Sequence, residues 1–499
     1  MTSIQTEPAP EKHATTVPSA FSLELKHASE EQQKTLENII QTFEISDEKL
    51  ETMVKGFAEE MARGLEANDP HCDMKMIPSW VTGHPTGNEK GVYLALEISG
   101  MDIYVCQVKL KGERGKLAIN QYQYKIPDHL TAGGDISILI DYVADCVSDF
   151  LVRVGGTQDL FVYSMAVSVG FAVKQTGLNK GTIVALEHGF DYHNGVGCDV
   201  VELFHSCFKK KGLAVKVVAM ANDTVCTLLA HAYQHPSTRL GIVHSAGTNC
   251  AYYENVGRIK ALDPSYREDS VEDMIINTEW CNFGSKKRWL PVTWFDRKLD
   301  RESNNPSVHC FEKMTTGMYL GEIVRNILVY LVDSDMIFSG ANLEGLNTPY
   351  SFDTSYMYVI EADNNTEDLE DTRVILEEML KISPTTVADR EVAKKVCEIV
   401  GRRSAMLVGG SIASVVLYML DCGIALDKAT ESCAIAITGD LYEDYPSFHA
   451  RVCETLKALI PTEVAGSFSV GIVKHSRIVG AAIVAMMAEK MDREADMQD

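Results

Sequence analysis

The thirteen cysteines include no Cys-x-x-Cys pair and no companion histidine spacing. Neither a disulfide framework nor a zinc site is therefore read from spacing, no metal is expected, and a reducing compartment fits best. Positive charge is also short: 46 Lys and Arg stand against 70 Asp and Glu, a formal net charge of −24. That balance works against nonspecific binding to nucleic acid or anionic lipid, both of which reward an excess of Lys and Arg. The short basic runs Lys209-Lys210-Lys211 and Lys286-Lys287-Arg288 read as solvated faces. The most apolar run, FVYSMAVSVGFAV at 161–173, is too short to cross a bilayer, and its valines and aromatics suit a buried strand. The first twenty residues, MTSIQTEPAPEKHATTVPSA, are rich in Pro and Thr, hold no apolar stretch of signal-peptide type, and read as a disordered tail. The expectation is a soluble, cytoplasmic protein with no membrane or direct nucleic-acid contact, nuclear entry being left open.

What is present is ordinary for a globular protein, with 45% hydrophobic and 23% charged residues. A chain of 499 residues exceeds what one core usually supports, so two domains are expected. Ser29 and Gln32 have capping-box spacing ahead of Leu36, Ile39, Ile40 and Phe43, which share one helical face. After the loop HPTGNEKG, the runs YLALEI, IYVCQVKL and LAINQYQYKI, separated by short Gly-containing turns, predict three antiparallel strands. A helix near 135–152, the buried strand, a helix near 199–211 and the strand VKVVAM follow, and this alternation indicates an α/β domain. A second passage of strands at 240–253 precedes a mainly helical region at 311–420. The chain then gives strand AIAIT, a helix from Pro446, strand SFSVGIV and a helix starting at Gly480.

Several blocks make a family resemblance specific: MIPSWVTGHPTG at 76–87, VVAMANDTVCTLLAHAY at 217–233, and INTEWCNFG at 276–284 running through FDRKLDRESNNP to FEKMTTGMYLGEIVR. With LNTPYSFDTSYM at 346–357 and DLYEDYPSFHARV at 440–452, the sequence closely resembles fungal hexokinases over roughly residues 30–490. The resemblance implies a two-lobed, actin-like ATPase (ribonuclease H-like) α/β fold with a cleft for hexose and MgATP between a small and a large domain. On that frame the expected divisions are a tail at 1–25, a helical segment on the large domain at 26–90, a small domain at 91–223, a large domain at 224–467, and a C-terminal strand and helix at 468–499 that return to the small domain.

Asp223 matches the family's catalytic aspartate, which accepts the proton of the sugar 6-hydroxyl; an Asx turn or helix cap is the structural alternative for Asp at such a junction. Asn222, Asn249, Glu279 and Glu312 match residues that hydrogen-bond hexose hydroxyls. Other family features are missing. The first phosphate loop, Asp-Leu-Gly-Gly-Thr-Asn followed by an Arg, is replaced by Glu97-Ile98-Ser99-Gly100-Met101-Asp102 and Tyr104. Ser99 adds a Cβ where backbone must approach phosphate, Met101 lacks a hydroxyl, Asp102 adds negative charge and Tyr104 removes a guanidinium. The second, Gly-Thr-Gly-x-Asn-Gly, becomes Ser245-Ala246-Gly247-Thr248-Asn249-Cys250; Thr248 lies two residues from the lost hydroxyl, and neighbouring residues in an extended loop point in different directions, so it is not expected to compensate. Sugar contacts degrade at Gly170, Glu187 and His188, with His188 open to either a donor or a structural role. On the adenosine side Ser411 replaces a Gly ahead of a helix, and His475, Ser476, Arg477 and Ile478 replace a glycine-rich turn. Arg477 and Lys474 read there as a solvated positive turn or, alternatively, a remodelled anion site.

Loss of one preorganised donor costs on the order of 10²–10³ in rate, so several losses point to weak or absent catalysis. The leading expectation is a catalytically impaired regulatory or sugar-sensing protein in carbon or nutrient response, with an unidentified protein partner, hexose as a ligand and no cofactor. The alternative is an active, divergent ATP-dependent hexokinase using MgATP.

Overall fold

The computed structural model describes residues 2–3, 25–66, 69, 71–155, 162–169, 172–186, 190–269, 273–286, 288–365 and 367–496. The expected hairpins form: Lys90–Ser99, Asp102–Gly112 and Lys116–Lys125 pair antiparallel in sequence order. Tyr163–Val169 and Val215–Met220 add to the other edge in parallel, giving a five-stranded small-lobe sheet. Helices Ser137–Arg153 and Val200–Lys211 pack their apolar stripes on one face. Helix Ser476–Asp496 packs against the other.

The large-lobe sheet has seven strands in the order Thr2–Ser3, Phe468–Ile472, Cys433–Thr438, Thr238–His244, Thr248–Asn255, Asp273–Asn277 and Ile77–Thr82. Its central strand Thr238–His244 is buried at every position, as a strand covered on both faces must be. Helix Asp223–Ala232 covers one face, and the 35-residue helix Val387–Asp421 belongs to the core on the other. By length and composition Val387–Asp421 could span a bilayer, but it lies mostly buried inside the protein. The capping box at Ser29 is present: Ser29 Oγ accepts from the Gln32 N–H at 3.2 Å, and Gln32 Oε1 from the Ser29 N–H at 2.8 Å. Both basic runs make ion pairs, Lys211 with Asp141 and Asp145, and Arg288 with Glu60.

Two expectations are corrected. Strand Phe468–Ile472 does not return to the small domain; it pairs in parallel with Cys433–Thr438, where its apolar residues complete the large sheet, and only the following helix crosses over. That helix starts at Ser476 rather than Gly480. Gly480 lies inside it because a Cβ there would come within 2.1 Å of the Cys226 carbonyl oxygen, so the glycine lets the two inter-sheet helices touch backbone to backbone. The two expected positions Gly170 and Glu187, with His188, lie outside the described residues, as does most of the tail.

Candidate active site

Strand Val215–Met220 delivers the chain to the N-terminus of helix Asp223–Ala232, between the two sheets. Asn222 is the N-cap, its side chain accepting from the Thr224 N–H at 2.9 Å, and Asp223 Oδ1 accepts from the same N–H at 2.8 Å. Both side chains thus share one cap donor, and the partly exposed Asp223 carboxylate lies within charge range of Glu97, Glu279 and Arg477. Burial pushes that carboxyl above its ordinary range, and the Arg477 guanidinium pulls it part of the way back.

The sugar-side residues assemble around the loop after strand Asp273–Asn277. Asn249 Nδ2 donates to Asn277 Oδ1 at 2.8 Å and to Glu279 Oε1 at 3.2 Å, and Asn277 Nδ2 donates to Glu279 Oε1 at 2.7 Å. Glu279 has φ +52, and His309 has φ +56 just before the short helix that carries Glu312. Left-handed backbone at a non-glycine costs about 1–3 kcal/mol and concentrates where geometry is held for function. Glu312 Oε2 accepts from the Thr248 N–H at 3.1 Å, and Glu312 Oε1 lies 3.3 Å from His309 Nδ1. A Cβ on Gly247 would sit 2.9 Å from Glu312 Oε2, so that glycine makes room for the carboxylate. Burial raises the Glu279 carboxyl, opposed by Asn277 and reinforced by the charge of Asp223, whereas the Glu312 hydrogen bond raises the His309 imidazole.

The phosphate side is built differently from what its loops imply. Ser99 pairs with Asp102 across a tight hairpin, where Gly100 supplies φ +55 with open space around it. Met101 packs onto the small-lobe core, away from the cleft. Asp102 is held by Lys125 and Gln123, which lower its carboxyl, so its charge is partly neutralised. Thr248 restores no phosphate donor: it is buried, accepting from Trp280 Nε1 at 3.0 Å and lying 3.1 Å from His244 Nδ1. Ser245 Oγ donates to Asp440 at 2.6 Å, and the carbonyl of Ala246 accepts from the Met318 N–H. Ser411 is corrected: it does not precede a helix but is wholly buried within Val387–Asp421, its hydroxyl bonded to the Leu407 carbonyl, because small residues there let neighbouring helices close in.

Arg477 is exposed, as a solvated cation would be, but it is also paired: it leaves the first turn of the last helix and bonds Glu97 Oε1 at 2.9 Å. Ser476 beside it is buried against Thr227, and Ile478 is buried in the inter-sheet core. The cleft here is about 470 Å³, lined by the carboxylates of Glu97, Asp102, Asp440, Glu443 and Asp444, with Arg477, His475 and Tyr104 also in its wall. Burial pushes the Glu97 carboxyl up, and Arg477 counters this. The lining offers carboxylates that could hold a cation, while two of its donors, Arg477 and Ser245, are engaged with Glu97 and Asp440. Sequence reasoning missed Asn277, Cys281, His309 and the Arg477–Glu97 pair. His309, one helical turn from Glu312, was the one with a local signal.

Two lobes joined by crossing helices, with a polar carboxylate cluster beside an N-terminal helical Asp, define a sugar-kinase type of protein. Sequence profiles described as Hexokinase match residues 35–233 and 239–487. The chain belongs to the hexokinase family. It is 32% identical to hexokinase-1 of Schizosaccharomyces pombe over 463 residues, covering 92% of this chain and 91% of that one. It is 33% identical to hexokinase-1 of Saccharomyces cerevisiae, covering 90% of each. Among solved structures, hexokinase from Schistosoma mansoni complexed with glucose matches with a TM-score of 0.78 and 30% identity, covering 92% of this chain and 99% of that one.

Proposed function

We propose that this protein binds a hexose among Asn222, Asp223, Asn249, Glu279 and Glu312, transfers phosphate far more slowly than a glycolytic kinase, and acts in the cytoplasm as a sugar-responsive regulator. The observation that carries this reading is the Arg477–Glu97 ion pair, which sets a fixed guanidinium against both Glu97 and Asp223 on the phosphate side. Phosphoryl transfer depends on placing phosphates and stabilising their charge, and a wall rich in carboxylates opposes that. The regulatory role rests on analogy within the family, and its protein partner is not defined by any residue here.

A second reading, an active ATP:hexose 6-phosphotransferase, is favoured by the names of the relatives, hexokinases and a glucokinase, and by Asp223 standing at the strand-to-helix junction where the family's base stands. In it Asp223 would take the proton of the sugar 6-hydroxyl, while Asn249, Glu279 and Glu312 fix the ring. MgATP would supply the phosphoryl group.

A coupled assay with MgATP and glucose, fructose or mannose separates the two, with Asp223→Ala as the control for contaminating kinase. Turnover at the rate of a glycolytic kinase, abolished by that substitution, would sink the first reading; slow or no turnover, together with glucose-dependent quenching of Trp280, is the outcome it requires.

A further inference from the structure

We propose that Cys281, His309 and Glu312 form a binding site for one zinc-type divalent cation beside the Asn249–Glu279 cluster. The residues come from two places: Cys281 from the turn after Glu279, and His309 and Glu312 from the N-cap and first turn of one short helix. Tertiary folding brings a thiol sulfur, an imidazole nitrogen and a carboxylate oxygen all within 4.8 Å of one another. Tetrahedral zinc with its usual bond lengths holds such atoms about 3.6 Å apart, so a small side-chain rotation closes the set. His309, about a third exposed, has room to make that rotation. A fourth donor is at hand, because Glu279 Oε2 lies 3.8 Å from Cys281 Sγ.

The electrostatics favour a cation. Among the described residues, the groups bonded to the Glu279 and Glu312 carboxylates are two amides, a backbone N–H, the Cys281 thiol and the His309 imidazole, so neither carboxylate is paired with a Lys or Arg. Glu279 and His309, which flank the site, are both held in left-handed backbone. Sulfur and imidazole donors select zinc over the harder magnesium and calcium. On binding, the Cys281 S–H bond breaks, its electron pair goes to the metal, and the proton leaves to solvent; a protonated His309 releases a second.

The site shares Glu312 with the hexose cluster, so cation and hexose should exclude each other; this part alone rests on the hexose-binding reading. The test is titration of the metal-free full-length protein with Zn²⁺, and with Co²⁺ for its thiolate charge-transfer band. One equivalent should bind with that band, and the band should vanish in Cys281→Ser. Affinity should fall roughly 100-fold or more in His309→Gln, beyond the 10–100-fold that losing an outer-shell partner costs. His309→Gln alters a partly exposed side chain, so it keeps the test alive if Cys281→Ser fails to fold. Absence of a one-to-one complex, or affinity unchanged in His309→Gln, overturns the proposal. If glucose quenches Trp280 in metal-free protein yet leaves zinc affinity unchanged, the placement beside the hexose cluster is overturned. If glucose has no effect on Trp280, the hexose reading fails, and one-to-one binding lost in the variants still upholds the metal site.

Discussion

Replacing Arg477 with Gly removes the one guanidinium that bonds Glu97 and moderates the charge of Asp223. A fully buried pair broken on one side costs about 3–5 kcal/mol, and an exposed one at most about 1. Glu97 is 13% exposed but Arg477 is 44% exposed. Solvent screening therefore brings the expected loss to about 1–2 kcal/mol at neutral pH. The sign with pH follows from linkage. Glu97 and Asp223 have folded pKa values above their unfolded ones, so the native state binds more protons and stability falls as pH rises from about 4, the unfolded carboxylate value, through the folded values. Without Arg477 both folded values climb further, which steepens the fall and extends it to higher pH. Melting curves of wild type and Arg477→Gly from pH 4 to pH 8 should nearly coincide at the acid end and separate toward neutrality. A constant separation, or none at pH 8, would refute the electrostatic account. The same variant addresses function: freed carboxylates should bind Mg²⁺ more tightly, whereas a wild type that turns over MgATP and a variant that does not would make Arg477 a phosphate ligand.

Glu279→Gln should abolish glucose-dependent quenching of Trp280 while leaving the melting temperature within a few degrees, since the neutral amide keeps the shape of the site; unchanged quenching would remove Glu279 from the sugar cluster. Arg403 is buried with both terminal nitrogens 2.7 Å from Asp296 oxygens, so Arg403→Met should cost about 3–5 kcal/mol, read by denaturant titration, with Asp296→Asn recovering part of it. Gly480→Ala should cost about 1–3 kcal/mol by forcing helix Ser476–Asp496 off the Cys226 backbone, seen as a lowered melting temperature. Zinc affinity should drop on acidification through the raised His309 value, because the ligand must be neutral; isothermal titration at several pH values measures this, and a flat profile would contradict it.

Much of this molecule was readable along the chain. Period-two runs gave the three strands from Lys90 to Lys125, the Ser29–Gln32 capping box marked a helix start, and the block around Asn222-Asp223 placed a catalytic-type carboxylate at a strand-to-helix junction. These features depend on residues a few positions apart, and local backbone geometry converts such spacing directly into structure. The Gly480 start of the last helix was misread because a glycine at helix start and one at a helix crossing look alike in sequence; what separates them is the Cys226 backbone pressed against it. That Thr248 would not replace the lost donor was legible from its offset of two residues, but only the fold shows its hydroxyl turned to the Trp280 indole. Arg477 and Glu97 lie 380 residues apart, and Cys281 is far along the chain from the His309–Glu312 pair. Their meeting is decided by the crossing of one helix between two sheets and by two left-handed backbone turns, because electrostatic and ligand interactions act through distance in space, which sequence separation does not encode.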